Sequence, residues 1–219
     1  MHAVDLTLYL VLDPDLCGGT QGMIDTTRAA VYNGATIVQL RAPKWKKRAI
    51  VECARAIKKM LAESPRTRVP LIIDDHADVC IAADADGLHV GQEDLSPVDA
   101  RALIGPEKIL GLSVNDEEQM AKVDTSLVDY LGVGPIYATS SKLDAAMPLG
   151  TAGFAELIAR KPCPVVAIGS VKASLADVLI GAGADGLAVI SAICGQQNPA
   201  EATHDLAEAI KAARAAHAA

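Results

Sequence analysis

PVVAIGSVKASLADVLIGAGADGLAVIS, residues 164–191, reads as a strand, a helix and a second strand. Pro164–Ile168 is an apolar run too short for an independent helix, and its Val and Ile content suits a strand covered on both faces. Leu175–Ile180 carries the amphipathic pattern of a helix. Gly181-Ala182-Gly183-Ala184-Asp185-Gly186 then offers small residues for a helix end and a tight turn, and leads directly into the apolar run Gly186–Ile190. Two strands joined through a helix make a parallel pair with a right-handed crossover.

The same alternation continues outward from this unit. Further strand candidates are Leu6–Leu12, Thr36–Leu40, Pro70–Ile73, Gly87–Val90, Ile109–Leu112 and Leu127–Gly132. Lys46–Glu63 sets Ile50, Cys53, Ala54, Ile57 and Leu61 at spacings of three and four, with Lys and Arg opposite, until Ser64-Pro65 stops it. Pro199–Ala216 repeats the amphipathic pattern, with Pro199 in the first helical turn. Gly34-Ala35-Thr36 and Ala83-Asp84-Ala85-Asp86-Gly87 echo the glycine-rich entry into the last strand. These sit at strand N-termini, the face of a barrel that carries stability rather than chemistry. Strand–helix alternation with no linker-like stretch predicts an α/β fold, a single (β/α)8 TIM-barrel domain over residues 1–219. An open doubly wound sheet is the competing architecture, and eight units favour closure.

Composition narrows the function. The chain has 219 residues, 27 acidic against 20 basic, and a net charge of -7. That balance predicts no nucleic-acid partner and no attraction to an anionic membrane, and it suits recruitment of a divalent cation. Small phosphorylated molecules would have to be captured by local groups. Five scattered cysteines, Cys17, Cys53, Cys80, Cys163 and Cys194, form no C-x-x-C pair, which argues against a disulfide framework or a zinc site and for reduced thiols in the cytoplasm. The N-terminus lacks a signal-peptide pattern, and no apolar run reaches the roughly 18 residues of a membrane span. Oligomeric state stays open between monomer and homodimer.

A barrel keeps its site at the C-terminal ends of its strands, so the residues following each apolar run matter most. They are Gln39-Leu40-Arg41-Ala42-Pro43-Lys44; Asp74, Asp75 and His76; Gly91-Gln92-Glu93-Asp94; Ser113; the segment Gly134 to Lys142; Gly169-Ser170; and Ser191. Asp75 and Asp94 stand at neighbouring strand ends, where two carboxylates can share Mg2+ with substrate phosphate and water. Taken singly, Asp74 or Asp75 is read as a helix N-cap and Asp94 as a solvated loop residue; the pair favours metal. Arg41, Lys44 and Lys142 are the basic groups nearest this face and suit an anionic ligand. Lys142 lies in the long loop from Gly134 to Thr151, a length typical of lids. Gly169-Ser170 and Ile190-Ser191 end the last two strands, the recurrent phosphate position of this fold. His89, inside a strand, is read as a satisfied core histidine, His76 as either a supporting or an exposed group, and His204 and His217 as surface. Lys46, Lys47 and Arg48 are read as surface and Trp45 as local packing. No Ser/His/Asp order, Walker loop or HExxH motif is present.

Together these strings, in order from about Leu8 to Ile193, resemble the thiamine phosphate synthase family. The similarity is carried by Gln39-Leu40-Arg41, Leu71–Asp75, Gly87–Asp94 with its His-Val-Gly-Gln-x-Asp core, Gly111-Leu112-Ser113, Tyr130–Thr139 with Gly-Val-Gly-Pro-Ile-Tyr-x-Thr, and Ala184–Ser191. The resemblance implies a Mg2+-dependent transferase that joins hydroxymethylpyrimidine diphosphate to a thiazole phosphate and releases pyrophosphate. It implies Asp75 and Asp94 as the metal ligands. Gln39, Arg41, Lys44, Asp74, Ser113 and Lys142 would meet the pyrimidine diphosphate, with Arg41, Ser113 and Lys142 in catalytic roles. Thr139, Ser140 and Ser141 would face the thiazole, with Gly169, Ile190 and Ser191 at its phosphate. In the family the diphosphate leaves first and the thiazole nitrogen traps the pyrimidine cation, so the protein stabilises leaving-group charge without a nucleophile of its own. This chain departs from the family pattern at Pro43, where Lys is usual and Lys44 follows; at Asp74, where Asn is usual; at Ser170, where Gly is usual; and at Ser140-Ser141, where a second Thr is usual. A thiazole tautomerase-like relative, a non-catalytic thiamine-pathway phosphate-binding protein and an unrelated phosphate-binding isomerase on the same fold are the competing readings.

Overall fold

The computed structural model describes residues 4–64, 69–138 and 146–218. Its elements follow in the order β1 (Leu8–Leu12), α1 (Pro14–Cys17), α2 (Thr20–Tyr32), β2 (Ile37–Leu40), α3 (Lys47–Ala62), β3 (Leu71–Asp74), α4 (Ala77–Ala82), β4 (Gly87–Val90) and α5 (Pro97–Ile104). Then come β5 (Ile109–Val114), α6 (Glu117–Ala121), β6 (Tyr130–Val133), α7 (Gly150–Ile158), β7 (Val165–Ala167), a 3₁₀ turn (Ala173–Leu175), α8 (Ala176–Gly181), β8 (Gly186–Val189) and α9 (Pro199–His217). Each strand pairs in parallel with the next, and β8 returns to β1, so the sheet closes into a (β/α)8 barrel.

Side-chain alternation divides the apolar residues between two cores. Leu8, Leu10, Leu12, Val38, Leu40, Leu71, Ile73, Leu88 and Leu110 face outward and pack under the helices. Tyr9, Val11, Ile37, Ile72, Ile109, Tyr130, Val166 and Ala188 face inward and fill the lumen. The register sets Gln39 beside Ile72, Asp74 beside His89, and Ser113 beside Gly132. Inward positions that are apolar at the strand starts thus become polar at the strand ends.

The helices form for the reasons their sequences suggest. In α3 the buried stripe is Ile50, Cys53, Ala54, Ile57 and Met60, so Met60 takes the last place expected of Leu61, which is only partly buried. At the start of α9 the Asn198 side chain accepts the Glu201 N–H and Pro199 occupies the first turn. Strand limits moved where local turns intervene. The sixth strand was expected from Leu127, but Leu127 and Val128 both donate to the Asp124 carbonyl in a turn, and pairing begins at Tyr130. The fifth runs on to Val114, which carries Ser113 inside the ladder. Among the described residues no helix is long and apolar enough to cross a membrane.

Candidate active site

The inward strand ends open into a cavity of about 510 Å³ lined by residues from every strand or the segment just beyond it, including Gln39, Arg41, Asp74, Asp75, His89, Asp94, Ser113, Gly169, Ile190 and Ser191. Two walls of this cavity differ in chemistry. On the β2–β4 side, Asp74 is the last residue of β3 and is buried, ion-paired with Arg41. The Arg41 guanidinium also lies 3.7 Å from the Asp75 carboxylate. Asp75 has left the strand and sits at φ 60, a left-handed conformation that a residue with a side chain adopts at a cost. Its N–H is held by the His89 carbonyl at 2.9 Å. The turn aims its carboxyl at Asp94, with which it shares a hydrogen bond. Asp94 in turn accepts the Gly91 N–H at 2.8 Å, which fixes the loop after β4.

Burial, followed by the charges of Asp74 and Asp94, pushes the Asp75 carboxyl up to about 7, against the opposing pull of Arg41. A carboxyl held so far above its usual range beside a second carboxylate is a place where added positive charge is favourable. Among the described residues no three His, Cys, Asp or Glu side chains converge on one metal position. A pair of carboxylates is nevertheless the protein complement that Mg2+ commonly uses when substrate phosphate and water complete its shell, so these residues fit that ion.

A hydrogen-bonded chain crosses the barrel beneath this wall. Gln39 Nε2 donates to the Tyr9 hydroxyl at 2.9 Å, which lies 2.7 Å from that of Tyr130. Tyr130 meets His89 Nδ1 at 2.9 Å, and His89 Nε2 meets Ser113 Oγ at 3.0 Å. Burial holds both tyrosines far above their usual range, so both remain protonated. One arrangement gives both tyrosine hydrogens and the imidazole N–H an acceptor: Tyr9 donates to Tyr130, Tyr130 to Nδ1, and Nε2–H to Ser113. The Ser113 hydrogen is then left to point into the cavity. Glycine makes the space for this chain, since a Cβ on Gly111 would lie 2.2 Å from the Tyr130 ring and 2.4 Å from His89 Nδ1. Sequence reasoning found Gln39 and Ser113 and judged His89 a satisfied core residue, which its two bonds bear out. It missed Tyr9 and Tyr130, whose inward parity in β1 and β6 was the available signal.

Among the described residues the β7–β8 wall carries no charged side chain: it combines Gly169, Ser170 and Ser191 with the apolar side chains of Val166, Ile168, Val171 and Ile190. Gly169 has φ 99, and a Cβ there would lie 2.5 Å from Pro135 Cβ, so this position tolerates no side chain. Ser170 also adopts a left-handed φ of 55, and its Oγ donates to the Ala138 carbonyl at 2.7 Å. Ile190 and Ser191 follow β8 on the same side of the cavity.

The structure separates one expected residue from the rest. Lys44 does not line the cavity; its ammonium pairs with Asp15 at 2.7 Å on the surface, because the chain beyond Arg41 turns through Pro43 and carries it outward. Thr139, Ser140, Ser141 and Lys142 lie outside the described residues. His76, Asp75 and Asp74 are not side-chain N-caps of α4, which begins without one. Asn115 and Gln119, not singled out from the sequence, also line the cavity, and Asn115 Nδ2 donates to the Gly134 carbonyl at 2.6 Å.

Comparison with known proteins gives a consistent result. The profile described as thiamine monophosphate synthase matches residues 8–193. A thiamine-phosphate synthase from Xanthobacter autotrophicus is 52% identical over 96% of this chain and 98% of its own length. One from Laribacter hongkongensis is 46% identical over 93% of this chain and 94% of its own. Among solved structures, a thiamine phosphate pyrophosphorylase from Pyrococcus furiosus superposes with a TM-score of 0.84 at 30% identity, covering 95% of this chain and 97% of that one.

Proposed function

The chain belongs to the thiamine monophosphate synthase family, and on that premise we propose that its barrel cavity is where a pyrimidine diphosphate and a thiazole phosphate are joined. The activity is that of a thiamine-phosphate synthase, a transferase that releases pyrophosphate as thiamine phosphate forms. The observation carrying our assignment of roles is the Asp75–Asp94 carboxyl pair, with Arg41 beside Asp75, facing the uncharged wall of Gly169, Ile190 and Ser191 across one cavity.

Asp75 and Asp94 would hold Mg2+, whose chemical contribution is to draw charge off a departing diphosphate. Arg41 pairs with Asp74, lies 3.7 Å from Asp75, and is placed to donate charge-assisted hydrogen bonds to the leaving oxygens, a task we share between it and Lys142. Gln39 and Ser113, fixed at the two ends of the tyrosine–histidine chain, present an amide and a hydroxyl to the pyrimidine. Asp74, held by Arg41, would orient that guanidinium and border the pyrimidine. On the other wall the backbone around Gly169 and Ile190, with Ser191, would take the phosphate of the acceptor, and we assign Thr139, Ser140 and Ser141 to its ring. Two anions would then be held apart while the reacting carbon and nitrogen approach in line. Lys44 has no place in this scheme.

We read residues 1–219 as one domain acting in the cytoplasm, in keeping with five free thiols, and as a monomer or homodimer. The test is the coupled reaction with both substrates, with and without Mg2+, following thiamine phosphate and pyrophosphate. Product in equal amounts with the metal chelated would refute the role given to Asp75 and Asp94. Isomerisation of the thiazole phosphate without coupling would favour the tautomerase reading instead.

A further inference from the structure

The loops after the first and last strands meet at two thiols that the proposed reaction does not use. Cys17 is the last residue of α1, where its N–H is bonded to the Asp13 carbonyl at 3.0 Å. Gly18 and Gly19 follow at φ 76 and 89, so the chain turns sharply and leaves the thiol at the edge of the first loop. Cys194 lies beyond β8 in a helical turn, its N–H donating to the Ile190 carbonyl at 2.8 Å and its thiol 3.5 Å from the Val11 carbonyl. The two segments are packed together: a Cβ on Gly195 would stand 3.5 Å from the Leu16 carbonyl. The thiols share a hydrogen bond, and both also bond to the Asp13 backbone. Two interacting thiols carried by adjacent loops are an oxidisable pair. Cys80 and Cys163 are buried elsewhere in the chain.

We propose that Cys17 and Cys194 form a reversible disulfide under peroxide, fastening the loop after β1 to the turn that carries Ile190 and Ser191. Cys17 is the attacking group. It is half-buried rather than buried, so the oxidant can reach it. The hydrogen bond from Cys194, then that from Thr26, lowers its thiol to about 7, while the same bond, with burial, raises that of Cys194. An attacking thiol near ambient pH combines a large thiolate fraction with retained nucleophilicity. Its thiolate attacks one peroxide oxygen, the O–O bond breaks, and hydroxide leaves and is protonated, giving a sulfenic acid. Cys194 then attacks that sulfur: the S–S bond forms, the S–O bond breaks, and the Cys194 proton departs with the hydroxyl as water. Two thiols and one hydrogen peroxide thereby yield a disulfide and two waters. Closing the bond draws on Cys194, and through its N–H on the Ile190 carbonyl at the wall we assign to the acceptor phosphate.

Tryptic digestion separates the relevant thiols, because Cys17, Cys53 and Cys194 fall in different peptides: Met1–Arg28, Ala49–Arg55 and Ala173–Lys211. The full-length protein is treated with hydrogen peroxide, its remaining thiols are blocked, and the peptides are mapped by mass spectrometry. The expected result is the 1–28 peptide linked to the 173–211 peptide, a loss of two titratable thiols per chain, and full reversal by dithiothreitol. Cys17→Ser should abolish the linked species. Alkylation of Cys17 should show a pH midpoint near 7 that rises in Cys194→Ala. Recovery of Cys17 as sulfinic acid, or joined to the Cys53 peptide, overturns the proposal. The mapping stands apart from the assignment of the phosphate wall. If that assignment is also right, oxidation raises KM for the thiazole phosphate and leaves KM for the pyrimidine diphosphate unchanged; an unaltered KM with the disulfide formed counts against the wall alone.

Discussion

Aspartates occupy both rims of this barrel, and the two sets live under opposite conditions. At the N-terminal rim Asp86, Asp129 and Asp185 precede β4, β6 and β8, and each receives a backbone N–H from the strand before it: Leu71 at 2.9 Å, Leu110 at 2.9 Å and Val165 at 2.8 Å. Arg101 adds a bond to Asp129 at 2.9 Å, and Lys161 one to Asp185 at 2.6 Å. At the C-terminal rim Asp74, Asp75 and Asp94 crowd one another, and Asp75 is driven up to about 7. The lower carboxylates have permanent partners and staple neighbouring strands. Of the upper ones Asp74 is paired with Arg41, while Asp75 and Asp94 face each other and on our reading are completed by a bound cation. Residue type and strand-end position are shared; the difference lies in whether the fold itself supplies the countercharge.

The largest effect expected from breaking this contrast is on turnover. Asp94→Asn keeps an acceptor for the Gly91 N–H but removes the charge, and kcat should fall by ~10²–10³, the usual loss for a preorganised charge stabiliser. Melting of the metal-free protein should hold steady or rise, since a repulsive carboxylate has gone. A variant that couples substrates at the parent rate would overturn the contrast. At the lower rim the outcome reverses. Asp129→Ala removes the countercharge of Arg101, which keeps its bonds to the Leu127, Gly105 and Lys108 carbonyls, and leaves the buried Leu110 N–H without its acceptor, at a cost of about 3 kcal/mol, typical of breaking a buried pair. For a chain of this size that corresponds to a melting point lower by roughly 6–12 °C. Turnover of the molecules that remain folded should match the parent, as thermal melts and low-temperature kinetics can check.

This contrast also explains how much the sequence could tell. Eight apolar runs, with Gly, Pro or Asp at their edges, were enough for the barrel, because burial of a parallel strand on both faces leaves a plain compositional mark. The rim residues Gln39, Arg41, Asp75, Asp94 and Ser113 were legible because polar side chains directly after such runs have little architectural reason to be there. Lys44 was misplaced because charge and proximity in sequence say nothing about direction: beyond Arg41 the chain turns outward and Asp15 competes for the ammonium. Tyr9 and Tyr130 were hidden for a different reason. Within a strand an aromatic residue reads as core, and only the register reveals that both face the lumen with hydroxyls in reach of Gln39 and His89.

A smaller effect separates the rims by pH. Asp75 has a folded pKa raised from 3.8 to about 7, so between those values the folded protein keeps a proton that the unfolded chain has released. Its contribution to stability is therefore fully present below the unfolded value and is lost as pH rises through about 7. Metal-free protein should melt progressively lower over that window, and Asp75→Asn should flatten this component. Mg2+ should raise the melting point of the parent more above neutrality than at pH 5, by mass action on the ionised pair, and should not do so for Asp75→Asn. An equal Mg2+ response in the variant would argue that the cation binds elsewhere.

The smallest effect belongs to the uncharged β7–β8 wall, where the contrast takes a third form. Ser170 stands in the left-handed region, which costs a residue with a side chain roughly 1–2 kcal/mol relative to glycine. Ser170→Gly relieves that strain, but it forfeits an exposed hydrogen bond to the Ala138 carbonyl and adds about 0.4–1 kcal/mol of unfolded-chain entropy. These terms oppose one another, so stability should change by less than about 1 kcal/mol. If the acceptor phosphate is gripped by backbone here, its KM should also be little altered by the exchange. Gly169→Ala is the informative control one residue away: the new methyl would sit 2.5 Å from Pro135 Cβ, and the loop would have to move. A silent Ser170→Gly beside a damaging Gly169→Ala locates the function of this wall in backbone path, whereas a KM that rises steeply in Ser170→Gly would make the hydroxyl itself a ligand contact.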